Sequence, residues 1–166
     1  AGLKKNKVTI KNAVAYIEGK TNDGFSIKVG DEQVIAKRLI VATGSAPVVP
    51  PIPGVKEGLE AGMVLTNREI LDLTEIPEKL TVIGGGVIGI EFAGLFATFG
   101  TKVTVIEMAP EILPGIDTEI SAMLRAELAK KGVEFHLSSK VLHVATGCVT
   151  YSDAEGEHKA EATNVL

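Results

Sequence analysis

The chain has 166 residues, 45% apolar and 23% charged, with a formal net charge of −4. That length suits one domain, or one domain plus a piece of another, and the apolar content excludes a disordered chain. No apolar run is long enough to cross a bilayer, and no signal-peptide pattern opens the sequence. The acidic balance gives nucleic acid or an acidic membrane no broad attraction. Cys148 is the single cysteine, so an internal disulfide or dithiol centre is impossible, and the cytoplasm is the expected compartment.

Residues 7–10 and 13–17 are expected as one strand or two short ones. Thr21-Asn22-Asp23-Gly24 is a turn signal. Residues 25–29 and 33–37 alternate apolar and polar side chains around Gly30-Asp31-Glu32, the pattern of a β-hairpin. Residues 39–42 are expected as a further buried strand, ending in Thr43-Gly44-Ser45. These first 45 residues would bury too little to be stable alone and look like the end of a domain that begins earlier. Pro47, Pro50, Pro51 and Pro53 then make a stiff, extended connector, where a domain boundary is expected. Thr66-Asn67-Arg68-Glu69 is a capping-box pattern opening a short helix through Leu73.

The next stretch carries the chemistry. Residues 80–83 are a short β-branched run of the kind a buried parallel strand needs. Gly84-Gly85-Gly86-Val87-Ile88-Gly89 fits G-x-G-x-x-G directly after it. Residues 87–99 have helical length and stop at Gly100; residues 102–107 are a second strand, and Glu107 stands 18 residues after Gly89. Each part has a role in dinucleotide binding. Gly84 permits the tight turn, Gly86 lets backbone approach a pyrophosphate, and Gly89 lets helix and sheet pack closely. The helix N-terminus offers unpaired N–H groups and a positive dipole end. Glu107 can accept from the adenosine ribose hydroxyls. The competing structural reading is a βαβ unit whose glycines serve packing alone. A nucleoside-triphosphate loop is disfavoured, because Ile90-Glu91 stands where that motif needs Lys-Ser/Thr.

Pro110 and Pro114-Gly115 break the chain after Glu107. Asp117 or Thr118 is expected to cap a helix to about Lys131, with Ile120, Met123, Leu124 and Leu128 as its core-facing stripe and Gly132 ending it. Val133, Phe135 and Leu137 alternate as a third parallel strand, which completes β-α-β-α-β, a mononucleotide-binding half. Residues 141–145, 149–152 and 159–165 follow as short antiparallel strands. The fold class is therefore α/β: a Rossmann-like unit with an antiparallel meander, preceded by a partial β layer. His136, His143 and His158 lack a second ligand at metal spacing, so no metal site is expected, and Cys148 reads as a small strand residue.

The strings GGGVIGIE (84–91), VTVIE (103–107) and ATGSAPVVPPIPG (42–54) together resemble the flavoprotein disulfide reductase family. KKNKVTI (4–10) and LPGIDTEI (113–120) add to the likeness, which is nearest to the branch that oxidises dihydrolipoyl groups. Mercuric reductases and pyridine-nucleotide transhydrogenases share much of it. The resemblance implies an FAD domain with an inserted NAD(P) domain, then the rest of the FAD domain and a dimerisation domain. Residues 1–45 would be the C-terminal remnant of the first FAD segment, 46–54 the connector, and 55–166 the NAD-binding domain lacking its last strand.

The family's FAD-binding glycine motif, its CxxxxC and its His-Glu base all lie outside this sequence, so the chain alone is expected to be inactive. By the same resemblance Gly84, Gly85, Gly86, Val87, Ile88, Gly89, Ile90 and Glu91 would hold the NAD pyrophosphate and neighbouring groups. Glu107 would hold the ribose, and Val141 would flank the adenine. Ala15, Thr43, Gly44 and Ser45 match positions that touch FAD. Glu91 matches an acid that pairs with a flavin-site lysine absent from this chain. Implied partners are NAD(H), a lipoyl-domain substrate and a second subunit in a homodimer, with no nucleic acid and no membrane. No basic residue follows Glu107 in Met108-Ala109-Pro110-Glu111, which favours NAD over NADP. The alternatives are a free-standing NAD-binding sensor or regulatory module, and the NAD domain of a related reductase such as a mercuric reductase or a transhydrogenase.

Overall fold

The computed structural model describes residues 2–166, with Lys4 described by its backbone alone. The chain divides into two compact units, residues 1–45 and 46–166. In the first unit a short helix α1 (Gly2–Lys5) precedes three antiparallel strands, β1 (Ala15–Thr21), β2 (Gly24–Val29) and β3 (Glu32–Ala36), in the order β1-β2-β3. Thr21 Oγ1 donates to Gly24 O at 3.0 Å across the first turn. A carboxylate–amide–hydroxyl network joins the strands: Ser26 Oγ and Gln33 Nε2 both donate to Glu18, at 2.7 and 2.9 Å.

Two expectations fail in this unit. Residues 7–10 are the exit from α1, because Lys7 is left-handed at φ 59° and Val8 N–H folds back to Leu3 O at 3.0 Å. Residues 39–42 form no strand, and Ile40 and Val41 stand exposed. Their apolar character suits a strand, but no described strand pairs with them.

The second unit is built on a parallel sheet. It opens with α2 (Val55–Glu60), which the preceding prolines conceal from a sequence reading, and a 3-10 turn over Glu69–Asp72. The Thr66–Glu69 pair behaves as a capping box: Thr66 N–H donates to the Glu69 carboxylate at 2.8 Å, and Arg68 N–H to Thr66 Oγ1 at 3.2 Å. Then come β4 (Lys79–Ile83), α3 (Val87–Thr98), β5 (Lys102–Ile106), α4 (Thr118–Lys130), β6 (Glu134–His136), β7 (Lys140–Ala145), β8 (Cys148–Ser152), β9 (Glu157–Glu161) and β10 (Asn164–Val165). The parallel sheet runs β10-β4-β5-β6, and β7-β8-β9 form a separate antiparallel meander.

The sheet is buried on both faces, as parallel sheets are. Leu80, Val82, Val103 and Val105 pack with Ile90, Ala93 and Phe96 of α3 and Leu128 of α4. Ile106 and Val165 pack with Val141, Val144, Val149 and Tyr151 of the meander. The expected single antiparallel run over residues 159–165 splits in two. Asn164–Val165 leaves the meander and pairs parallel with Leu80 and Thr81, so the sheet has a neighbour on the far side of β4.

α4 begins as expected, with the Asp117 side chain accepting from Glu119 N and Ile120 N. Its buried face differs. Ser121 and Leu128 point inward, while Ile120, Met123 and Leu124 are exposed. Arg125 occupies the inner side as well, paired with Glu111; of the expected stripe Leu128 alone is buried, and a small hydroxyl and an ion pair take the rest of the inner side.

A candidate nucleotide site at the ends of β4 and β5

The turn from β4 into α3 sits at the C-terminal edge of the parallel sheet, the place where open α/β sheets bind ligands. Gly84 has φ +104°, a region L side chains rarely adopt, and its N–H donates to Ile106 O at 2.9 Å. Gly89 is needed for packing. A Cβ there would stand 2.3 Å from Gly84 O and 3.0 Å from Val82 Cγ1. Gly86 is the N-cap of α3 in extended conformation, and a Cβ there would meet nothing within 4 Å. The first turn of α3 carries no capping side chain and no acidic residue, so nothing in that turn neutralises its positive end.

Gly85 is held from two sides. Its N–H donates to Glu107 Oε2 at 2.5 Å, and its carbonyl accepts from Leu113 N–H at 2.8 Å. A Cβ on Gly85 would press Ile112 Cγ2 at 3.0 Å and Glu107 Cβ at 3.3 Å. The other Glu107 oxygen accepts from Ala109 N–H at 2.6 Å. Glu107 is 9% exposed, and each of its oxygens keeps a lone pair beyond the backbone donor it already holds. Its own backbone is fixed by His136 O, at 2.8 Å from Glu107 N, and by Ser139 N–H, at 2.9 Å from Glu107 O.

Residues 108–116 form the second wall. Leu113 has φ +55°, a conformation costing a non-glycine residue about 1 kcal/mol or more. Ile112 beside it is 1% exposed. Glu111 receives a bidentate fork from Arg125, Nε to Oε1 at 2.8 Å and Nη2 to Oε2 at 2.9 Å, and accepts from Ile112 N–H at 2.9 Å. The guanidinium holds the Glu111 carboxyl below its ordinary value, and the carboxylate raises Arg125 in turn.

The named residues are thus placed as follows. Gly84, Gly85, Gly86 and Glu107 meet at one corner, with Val87 and Ile88 exposed on its rim. The Gly89 contact lies within the packing of that turn. Ile90 is buried in the core, and its N–H is taken by Gly86 O at 2.9 Å. Glu91 is exposed on α3. Val141 turns its side chain into the meander core, though β7 starts beside Glu107 through Ser139. In the first unit Ala15 is exposed on β1, and Thr43, Gly44 and Ser45 lie in irregular, exposed chain.

Glu111, Ile112 and Arg125 escape a motif reading. A Glu and an Arg 14 positions apart carry no local signal, and Pro114-Gly115 marks only a break. His136 also has a definite place: its Nδ1 lies 3.0 Å from Tyr151 Oη, joining β6 to β8. Burial raises the Tyr151 hydroxyl above its ordinary value. Among the described residues no group of His, Cys, Asp and Glu could hold a metal ion, and no helix is long and apolar enough to cross a membrane.

This fold agrees with what the chain is similar to. The family model "Pyridine nucleotide-disulphide oxidoreductase" matches residues 2–165. The chain belongs to the pyridine nucleotide-disulphide oxidoreductase family. It is 43% identical to a dihydrolipoyl dehydrogenase of Acholeplasma laidlawii, over 90% of this chain and 44% of that protein. It is 45% identical to a dihydrolipoyl dehydrogenase of Bacillus subtilis, over 84% of this chain and 31% of that one. Among solved structures, the Cu(II) complex of the HOCl-induced flavoprotein disulfide reductase RclA from Escherichia coli superposes with a TM-score of 0.73 at 29% identity, covering 96% of this chain and 35% of that one. An NAD-dependent persulfide reductase from A. fulgidus gives a TM-score of 0.71 at 28% identity, over 98% of this chain and 32% of that one. The chain therefore spans less than half the length of these relatives.

Proposed function

We propose that this chain is the NAD(H)-binding portion of an FAD-dependent dihydrolipoyl dehydrogenase, which oxidises dihydrolipoyl groups through a redox disulfide and FAD to reduce NAD+. The observation that carries this reading is the corner where Glu107 clamps Gly85 beside an open Gly86 and an uncapped helix end. That corner fits a dinucleotide. The N-terminal turn of α3 and the Gly86 backbone would face the pyrophosphate, and the free lone pairs of Glu107 would face the ribose hydroxyls. Val87 and Ile88 would cover the nucleotide's flank, with the start of β7 at Val141 near the adenine side. Bound nicotinamide supplies the hydride-accepting chemistry; this chain's part is to bind and orient it.

Glu107 also sets the choice of nucleotide. A carboxylate accepting from ribose hydroxyls contributes roughly 1.5–3 kcal/mol, whereas a 2′-phosphate would set two anions together. In the whole enzyme, FAD would touch Ala15 and the Thr43-Gly44-Ser45 turn, and Glu91 would meet a lysine supplied from outside this chain. The reading further proposes a cytoplasmic homodimer acting on lipoyl domains, with residues 1–45 belonging to an FAD domain. The chain alone should not turn over dihydrolipoamide, since Cys148 has no second cysteine to form the required disulfide.

Fluorescence titration with NADH and NADPH tests the reading. NADH should bind at least tenfold tighter, a difference of about 1.4 kcal/mol. Glu107→Ala should weaken NADH and narrow that gap. Equal or tighter NADPH binding would sink the nucleotide assignment, and an unchanged NADH affinity in Glu107→Ala would remove the acid from the ribose.

A further inference from the structure

The glycine turn is shaped from outside the motif. Leu113 N–H draws in the Gly85 carbonyl at 2.8 Å. In a trans peptide the carbonyl and the next N–H point to opposite sides, and no cis bond occurs among the described residues. The bond from Leu113 therefore turns the Gly86 N–H away from the 108–116 loop, at a glycine whose Cβ position is open. Leu113 stands in the left-handed region at φ +55°, so the chain turns away at the residue whose N–H meets Gly85. The peptide that carries this N–H follows Ile112, and Ile112 is tied to α4. Arg125 grips Glu111 with two parallel bonds, Glu111 holds the Ile112 N–H, and the buried Ile112 side chain lies against Gly85.

We propose that the Glu111–Arg125 pair is a positioning device for the dinucleotide pyrophosphate: it fixes Leu113 on Gly85 and thereby aims the Gly86 N–H at the phosphates. This rests on the nucleotide-binding reading and adds residues to it that lie outside the glycine motif. Neither Glu111 nor Arg125 touches the nucleotide. Their effect is confined to ligands that carry the pyrophosphate.

The test compares the protein with Arg125→Gln, Glu111→Gln and the exchanged pair E111R/R125E. ADP-ribose and adenosine are titrated into each, and amide exchange is followed by NMR. Each single variant should weaken ADP-ribose roughly tenfold, the scale of one charge-assisted hydrogen bond to phosphate, and leave adenosine unchanged. Exchange at the Leu113 amide should speed up while the Ile83 amide, which donates to Leu166 O, keeps its protection. The exchanged pair restores the tie to α4 but not the acceptor for the Ile112 N–H, so it should recover only the part of the ADP-ribose affinity that the tie supplies. Undiminished ADP-ribose binding in both single variants would overturn the proposal, as would an equal loss for adenosine. Failure of the unsubstituted protein to take ADP-ribose would instead bring down the nucleotide reading and this inference with it. Arg125→Lys covers the case in which the glutamine variants do not fold: it keeps the cation but loses the fork, so wild-type affinity there would equally overturn the role of the bidentate pair.

Discussion

Among the described residues stand two three-stranded antiparallel sheets, β1-β2-β3 and β7-β8-β9. Both are written with similar alternating sequence, and both contain a register shift, between Ile17 and Gly19 in one and between Val141 and His143 in the other. Their burial is opposite. β1 is exposed along its whole length, with Tyr16 and Ile17 at the surface. In the second sheet Val141, Val144, Val149, Tyr151 and Ala160 are buried in a core shared with Ile106 and Val165 of the parallel sheet. Alternation decides that a strand forms and which side is apolar; it does not supply the layer that the apolar side must cover.

Hydrogen exchange should give the largest contrast. Ladder amides of β2–β3 are expected to exchange about 1,000-fold or more faster than those of β7–β8, a difference of about 4 kcal/mol in opening free energy. Equal protection would break the comparison. Next, Val149→Ala should lower the main urea transition by about 2 kcal/mol, since it empties a fully buried site, while Ile17→Ala should stay within about 0.5 kcal/mol. Tyr151→Phe should cost about 1 kcal/mol through the lost partner of His136, and a neutral result would mean that bond is idle.

The smallest effect is in acid. Asp153 lies below its ordinary value, first through the Glu155 N–H and then through His158. Glu18 is lowered by Ser26 and Gln33. A lowered carboxyl adds stability above its unfolded value, about pH 4, and loses it as pH falls through the folded value. Asp153→Asn should therefore flatten the fall of Tm between about pH 5 and pH 3 slightly. Glu18→Gln should leave the main transition's pH profile unchanged.

The parts of the molecule legible in sequence are those where one local rule acts alone. The glycine spacing predicts the turn, helix and terminal acid, and Gly84, Gly86 and Glu107 do meet at one corner. Asp117 caps α4 as its type suggests. The α4 stripe holds at Leu128 and fails at Ile120, Met123 and Leu124, because a hydrophobic period says which residues share a face, not how much of that face is inward. Ser121 and the Arg125–Glu111 pair take the inner side, where the chain needs close approach and a tie to the 108–116 loop. The loop wall is illegible for a related reason: Leu113 reaches Gly85 through a backbone N–H, and every residue type but proline carries one. Residues 39–42 show the converse failure. Their sequence suits a strand, but pairing depends on a neighbour that no local pattern encodes.

The pairing of β10 with β4 bears on how the chain matures. Asn164 meets Leu80, 84 positions earlier, so β4 cannot gain its outer neighbour until nearly the whole unit has emerged during synthesis. Closing so long a loop is slow relative to local hairpins. Until then β4, the strand that launches the glycine turn, keeps a bare apolar edge able to pair with another chain. A nascent chain stalled before residue 164 should therefore be a better client for chaperones, and a better seed for aggregation, than one extended past it.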